Sequence, residues 1–356
     1  MIKKTLVACL LLLYSIIIRA QDPQLSQYYN APLFLNPAFA GTGGNNTNNN
    51  TRGIINYRDQ WPGLSTPFVT YAASVDHNIQ SRDMGVGLVV RRDQQALGLN
   101  STQVGLLYSY AIYLNDKLTF RPGLQASFVS RSVNYYNYTF GDQINANTGQ
   151  IATTGADNSL GGKNKLYADF STGGLLYSDK FWLGVSIYHL NKPNQSFLTP
   201  STSLFVRNTG NYLPMSLILQ GGYKISLEET PRRNGKLFKN GKEKSITPTF
   251  LYTQQGTYKQ LDLGVYVTYD PIMFGLMYRG IPILTYDGII NSEAIIGMVG
   301  MHYKEFTFAY SYDFTISKLT NASGGAHEIT IIYDFETIHY KKKKGRAIPC
   351  PKFYNQ

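Results

Sequence analysis

From Phe306 to Phe314 every second residue is aromatic. Phe306, Phe308, Tyr310, Tyr312 and Phe314 share one parity, while Glu305, Thr307, Ala309, Ser311 and Asp313 share the other. A period of two places the sets on opposite faces of a strand. After a turn containing Gly324-Gly325 the scheme repeats, with Ile329, Ile331, Tyr333 and Phe335 against Glu328, Thr330 and Asp334. A face turned to a soluble core would mix aliphatic residues, whereas aromatics opposite carboxylates fit a wall between lipid and a wet lumen. Similar alternation recurs along the chain, as in Phe181, Leu183, Val185, Ile187 and in Leu261, Leu263, Val265, Val267. Candidate strands start near Arg52, Phe68, Met84, Gln103, Lys117, Leu166, Lys180, Leu213, Ser245, Gln260, Ile272, Glu293, Lys304 and Glu328. The pattern predicts an all-β, transmembrane antiparallel β-barrel of about 14 strands over residues 51–336.

The connections sharpen this reading. Those after even-numbered strands are mostly tight, at Asn115-Asp116, Ser178-Asp179, Asp270-Pro271 and Tyr303-Lys304. Those after odd-numbered strands are often long, notably Ser132 to Lys165, Asn191 to Tyr212, Gly280 to Ser292 and Ser317 to His327. Outer-membrane barrels sort periplasmic turns from outer loops in this way, and a secreted β-sandwich has no reason to. One connection breaks the rule: Leu227 to Lys244 is long and basic on the short-turn side, so either it is a docking element or the strand count slips there. Pro122 and Pro248 fall inside proposed strands and are expected at a bulge or strand end, because proline donates no ladder hydrogen bond.

Outside the wall the chain divides into a signal peptide at 1–20, an irregular segment at 21–50 and a basic tail at 337–356. The signal has Lys3-Lys4, an apolar stretch to about Ile18, and Ala20 before the expected cleavage. Its removal leaves Cys350 as the one cysteine, so no internal disulfide is expected. Residues 21–44 hold too many apolar side chains for a free tail and too much Pro and Asn for a long strand, so they are expected inside or under the barrel. An even strand count returns both mature termini to the periplasm of a Gram-negative cell.

Composition narrows the classes further. Tyr supplies 28 residues and Gly 33, charged residues only 15%, and no apolar run is long enough for a spanning helix. The formal charge of +11, less Lys3, Lys4 and Arg19 of the signal, is +8. The excess gathers in the 227–244 connection and in Lys341, Lys342, Lys343 and Lys344 of the tail, without the interleaved aromatics of a single-strand nucleic-acid binder, so no nucleic acid is expected. Outer-membrane lipid is an expected partner.

Candidate chemistry is sparse. His77, His189, His302, His327 and His339 show no metal-ligand spacing and no nucleophile motif, so neither an enzyme, a metal site nor a cofactor is expected. His327 with Ser323 only imitates a hydrolase pair. Arg121, Asp169, Asp262, Arg279, Glu305, Asp313 and Glu328 are expected to face the lumen, where they either line a solute path or form ion pairs that hold a plug. Trp61, Pro62, Gly63 and Leu64 sit in the first outer loop, as a partner contact or an interfacial anchor. The lysine tail is a solvated run or docks an acidic periplasmic partner.

Several segments carry a family resemblance that periodicity does not supply. Ser26-Gln27-Tyr28-Tyr29-Asn30-Ala31-Pro32 with Asn36-Pro37-Ala38-Phe39-Ala40-Gly41 resembles the opening of the PorP/SprF family. Tyr57-Arg58-Asp59-Gln60-Trp61-Pro62-Gly63-Leu64, Tyr278-Arg279-Gly280, Tyr312-Asp313-Phe314-Thr315, His327-Glu328-Ile329 and the end at Ile348-Pro349-Cys350-Pro351-Lys352-Phe353 are similar to its later signatures. Ala326 departs from the Ser common in the family before His-Glu. The resemblance implies an outer-membrane accessory barrel of the type IX secretion system of Bacteroidota, associated in some members with gliding motility. It also implies partners: secretion-system components and a large exported surface protein such as an adhesin. A general diffusion or solute-uptake channel is the alternative that the charged lumen parity keeps open.

Overall fold

The computed structural model describes residues 22–43, 49–95, 98–133, 144, 148, 164–197, 211–227, 232–233, 236–237, 244–286, 289–316 and 324–336. Its wall is a closed antiparallel barrel of 14 strands. They are β1 (Asn49–Gln60), β2 (Phe68–Ile79), β3 (Met84–Gln94), β4 (Leu99–Tyr110), β5 (Thr119–Val133), β6 (Asn164–Tyr177) and β7 (Phe181–Tyr188). The second half holds β8 (Ser216–Tyr223), β9 (Lys244–Gln255), β10 (Tyr258–Tyr269), β11 (Ile272–Tyr286), β12 (Ile289–Tyr303), β13 (Phe306–Thr315) and β14 (Ala326–Glu336). Each strand pairs with its sequence neighbours, and β1 pairs with β14 from Asn49↔Glu336 to Gln60↔Ala326, which closes the sheet. Closure leaves no open edge among these strands, the condition for a sheet to cross hydrocarbon.

Burial is inverted relative to a water-soluble protein. Phe128 and Leu166 are 67% and 68% exposed on the outside, whereas Asp169, Asp262 and Glu328 are fully buried inside. An apolar exterior of this extent is stable only against lipid. In β13 Phe306, Phe308, Tyr310 and Phe314 face out, and Thr307, Ala309, Ser311 and Asp313 face in, as the alternation predicts.

One connection differs from the sequence expectation, and one open alternative is resolved. The expected long connection from Gly280 to Ser292 is instead the far end of a hairpin, because β11 runs to Tyr286 and β12 begins at Ile289. The ladder between them slips at Arg279/Gly280 and at Ile281/Thr285, which blurred the alternation there. The long basic connection after β8 is real, since β8 pairs directly with β9 and no strand is missing.

The prolines sit at no bulge. The β4–β5 ladder ends at Ser109↔Gly123 and resumes in the same register at Ile112↔Phe120, and Pro122 stands opposite the gap. The β8–β9 ladder ends at Gly222↔Thr249 and resumes at Ile225↔Ile246, with Pro248 opposite the second gap. At these breaks Ala111 N donates to Asp83 O at 2.8 Å and Lys224 N to Lys180 O at 2.7 Å, so the interrupted strands find other acceptors. A residue without an N–H is tolerated where its neighbour's ladder is already open.

Residues 22–43 lie inside the barrel. They form a short 3-10 turn (Tyr28–Asn30), one turn of helix, α1 (Pro32–Leu35), and a second 3-10 turn (Pro37–Phe39). Pro32 and Pro37 each occupy the first helical position, where the absent N–H costs nothing. Asn36 caps the second turn by accepting from Ala38 N at 2.9 Å. The Asn and Pro that rule out a strand therefore build a compact coil narrow enough for the lumen.

Candidate functional site: an occupied lumen

The inner segment threads the barrel from one end to the other. Asp22 lies beside His189, just after β7, and Gln255, the last residue of β9, at the end carrying the odd-numbered connections, hereafter the loop end. Gly41 and Gly43 donate their N–H groups to Asp76 Oδ2 at 3.0 and 3.2 Å, near the close of β2 at the opposite, turn end.

Three bands of contact hold it. At the loop end His189 sits between two carboxylates, with Nε2 2.6 Å from Asp22 and Nδ1 3.0 Å from Asp169. Burial pulls the imidazole pKa down, but Asp22 and then Asp169 outweigh it and push it up to about 10. Burial acts to raise Asp22, and His189 outweighs it, holding that carboxyl well below the usual range.

The second band is a buried charge network centred on Ser26. Ser26 Oγ donates to Asp313 Oδ2 at 2.6 Å and accepts from Arg58 at 2.7 Å and Arg279 at 3.1 Å. Glu328 accepts the amides of Ser26 and Gln27 at 2.7 and 3.1 Å. Arg58 pairs with Asp313 at 2.9 Å and Glu328 at 3.2 Å, and Arg279 with Asp262 and Asp313, each at 3.2 Å. The charges come from β1, β10, β11, β13 and β14, so one segment ties the seam of the barrel to the wall beside it.

The third band is apolar. Tyr28, Tyr29, Leu33, Leu35 and Phe39 pack against Leu107, Leu175, Trp182, Tyr266, Met277 and Ile296 of the wall. Tyr29 meets Trp182 and Tyr266 edge-on at 5.4 and 6.0 Å between ring centres. Wall hydroxyls take up carbonyls of the inner segment: Ser186 Oγ donates to Leu35 O at 2.8 Å, Tyr188 to Phe34 O at 3.0 Å and Ser109 to Ala40 O at 2.7 Å. An irregular backbone at this depth needs such partners.

Of the residues expected in the lumen, Asp262, Arg279, Asp313 and Glu328 meet in the Ser26 network, and Asp169 joins the His189 pair. Arg121 is buried nearer the turn end, where Nε donates to Ser109 at 2.8 Å. Glu305 does not face the lumen. It lies in the turn between β12 and β13, where its carbonyl accepts from Asp334 N, because β12 ends at Tyr303 and leaves it outside the strand.

Trp61, Pro62, Gly63 and Leu64 form the β1–β2 connection. Trp61 N donates to Gly325 O at 2.8 Å, and its indole stands edge-on to Phe68 at 5.4 Å, while Pro62, Gly63 and Leu64 are exposed. Lys341, Lys342, Lys343, Lys344 and Ser323 lie outside the described residues. His327 bonds the Tyr310 hydroxyl at 2.8 Å.

Sequence reading missed Asp22, Ser26, Arg58 and His189. Arg58 has the inward parity of β1, shared with Arg52 and Asn56, and that signal was present. Ser26 and Asp22 carry none, since an irregular segment has no periodicity.

The geometry defines a class: an outer-membrane β-barrel whose lumen is filled by its own N-terminal segment. The chain belongs to the PorP/SprF family of type IX secretion system membrane proteins, whose family model matches residues 17–333. No curated protein matches it. Among solved structures it is similar to TodX, the Pseudomonas putida toluene transporter, at 11% identity and a TM-score of 0.44 over 85% of this chain and 92% of that one. It is also similar to the Acinetobacter baumannii outer membrane protein Omp33, at 7% identity and a TM-score of 0.41 over 81% and 99%. A mutant porin of Rh. blastica follows at 8% identity and 0.32 over 80% and 99%.

Proposed function

We propose that this outer-membrane barrel is a closed accessory component of type IX secretion that binds a large secreted partner such as an adhesin and helps to export it or keep it at the surface. The observation that supports a scaffold over a pore is the occupied lumen: residues 22–43 run through it and are held by hydrogen bonds to buried charges of the wall and by an apolar cluster. A solute path would require that segment to leave. Family membership supplies the secretion role, and the connections at the loop end, Trp61 to Leu64 among them, offer surface to a partner.

Deleting the gene and following surface display of type IX substrates tests the reading, and unchanged display of every substrate would sink it. Affinity purification of the tagged barrel from gently solubilised outer membranes is expected to bring down secretion components and a large surface protein. Planar bilayers separate the alternative: the wild-type barrel is expected to be silent, and a stable open conductance would favour a diffusion or uptake channel.

A further inference from the structure

The inner segment leaves two neighbouring spaces at the loop end that share Asp22 and Pro23 in their walls. The larger, about 90 Å³, is walled chiefly by Leu25, Phe34, Leu35, Ile218 and Leu251. The smaller, about 40 Å³, has a mixed wall in which Asp169, Tyr167 and Arg131 stand beside Val129 and Leu213. Arg91 borders both. The nearby acids are already engaged: Asp22 Oδ2 accepts from His189 and Gln255, and Asp93 from Thr70 and Gln95. Among the described residues none accepts a hydrogen bond from the Arg91 guanidinium. Arg131 donates to Gln195, and His189 is held between its two carboxylates.

From this arrangement we propose that the loop end of the lumen binds a small carboxylic acid with an apolar body of about four or five carbons, its carboxylate on Arg91 and its body against Ile218 and Leu251. Three considerations set the class. A guanidinium without an acceptor pairs bidentately with a planar carboxylate. One oxygen of Asp169 is buried without a partner beside the smaller space, and its charge disfavours a dianion such as phosphate. An apolar cavity of about 150 Å³ takes benzene, so the 90 Å³ space fits a shorter chain. The site is independent of the secretion role, since it needs only the inner segment in place.

Calorimetric titration of the refolded mature chain in detergent with valerate, pentanamide and acetate tests it. Valerate is expected to bind saturably, one per barrel, with pentanamide and acetate each about tenfold weaker or more, the size of one charge-assisted contact or of a few buried methylenes. Arg91→Gln is expected to erase the preference for valerate over pentanamide, and Ile218→Phe to weaken valerate more than acetate, each in protein whose heat-modifiable gel shift is intact. No saturable valerate heat in the wild type overturns the proposal. Equal binding of valerate and pentanamide, or of valerate and acetate, overturns it as well. That wild-type comparison stands even if a variant does not fold.

Discussion

Ser26 uses its whole hydrogen-bonding capacity: one donated bond to Asp313 and two accepted bonds from Arg58 and Arg279. Removing the hydroxyl strands partners that water does not reach, so Ser26→Ala is expected to cost about 1–3 kcal/mol. Arg58→Met is expected to cost more, about 3–5 kcal/mol, because buried Glu328 loses its ion pair with Arg58 and buried Asp313 keeps only the one with Arg279. Urea unfolding in lipid vesicles, read by heat-modifiable migration, measures both; equal and small losses would mean that the network does not hold the segment. The inward parity of β10, β11, β13 and β14 made Asp262, Arg279, Asp313 and Glu328 legible in the sequence as lumen charges. Their common partner was not, since Ser26 has neither charge nor period. Glu305 shows the converse error: the parity of β13 extended one residue before its start at Phe306 assigns a face to a residue in a turn.

The clamp at Asp22 gives a pH dependence whose sign follows from the two shifts. His189 has a folded pKa of about 10 against 6.5, so its contribution is complete below 6.5 and is lost as pH rises through 10. Asp22 is held below its ordinary 3.8, so its contribution is present above 3.8 and lost as pH falls below it. The top of the inner segment is therefore held most firmly between 3.8 and 6.5 and loosens towards 10. A fluorophore on Gln24→Cys, in a Cys350→Ser background, is expected to show constant quencher access across that window and rising access above it. His189→Gln flattens the alkaline limb. Full release near 6.5 in the wild type would show that the carboxylates do not hold the imidazole charged.

At the scale of elements, the barrel and its inner segment fit because some wall positions carry no side chain. A Cβ on Gly85 would lie 2.0 Å from Ala40 O, and one on Gly123 2.3 Å from Ala38 N, both backbone atoms with no room to move. The paired change Gly85→Ala, Gly123→Ala is expected to leave the strands in register and force the turn-end half of the segment off the wall. Single-channel recording checks this: conductance should appear where the wild type is silent. Silence in the folded pair would mean that the segment shifts and still closes the lumen. The strands themselves were legible because each repeats a two-residue period, and most starts fall within a few residues of those read from the sequence. The inner segment was legible only as apolar residues broken by Asn and Pro, which gave compactness but no position. Its apolar partners Trp182, Tyr266 and Met277 lie on the lumen parity, and so they read as exceptions to a polar lumen when they are its core.

For the whole molecule, the direction of threading matters most. An even strand count places both ends of the wall on the turn side, which led to the expectation that both mature termini are periplasmic. The start of β1 lies on the turn side, since Asn49 pairs with Glu336 at that end. The chain before β1 then crosses the lumen, so Asp22 is at the loop end, opposite to that expectation. The threading also sets an order of events. Ser26 bonds Asp313 and Glu328, 287 and 302 residues away, so the network completes only when the last hairpin closes the wall. If the loop end faces outward, a membrane-impermeant maleimide applied to intact cells should label Gln24→Cys and the exposed control Lys192→Cys, and should spare Lys180→Cys in the β6–β7 turn until the outer membrane is permeabilised. Labelling of Lys180→Cys with sparing of Lys192→Cys would invert the barrel, and with it the side on which a secreted partner meets the loops.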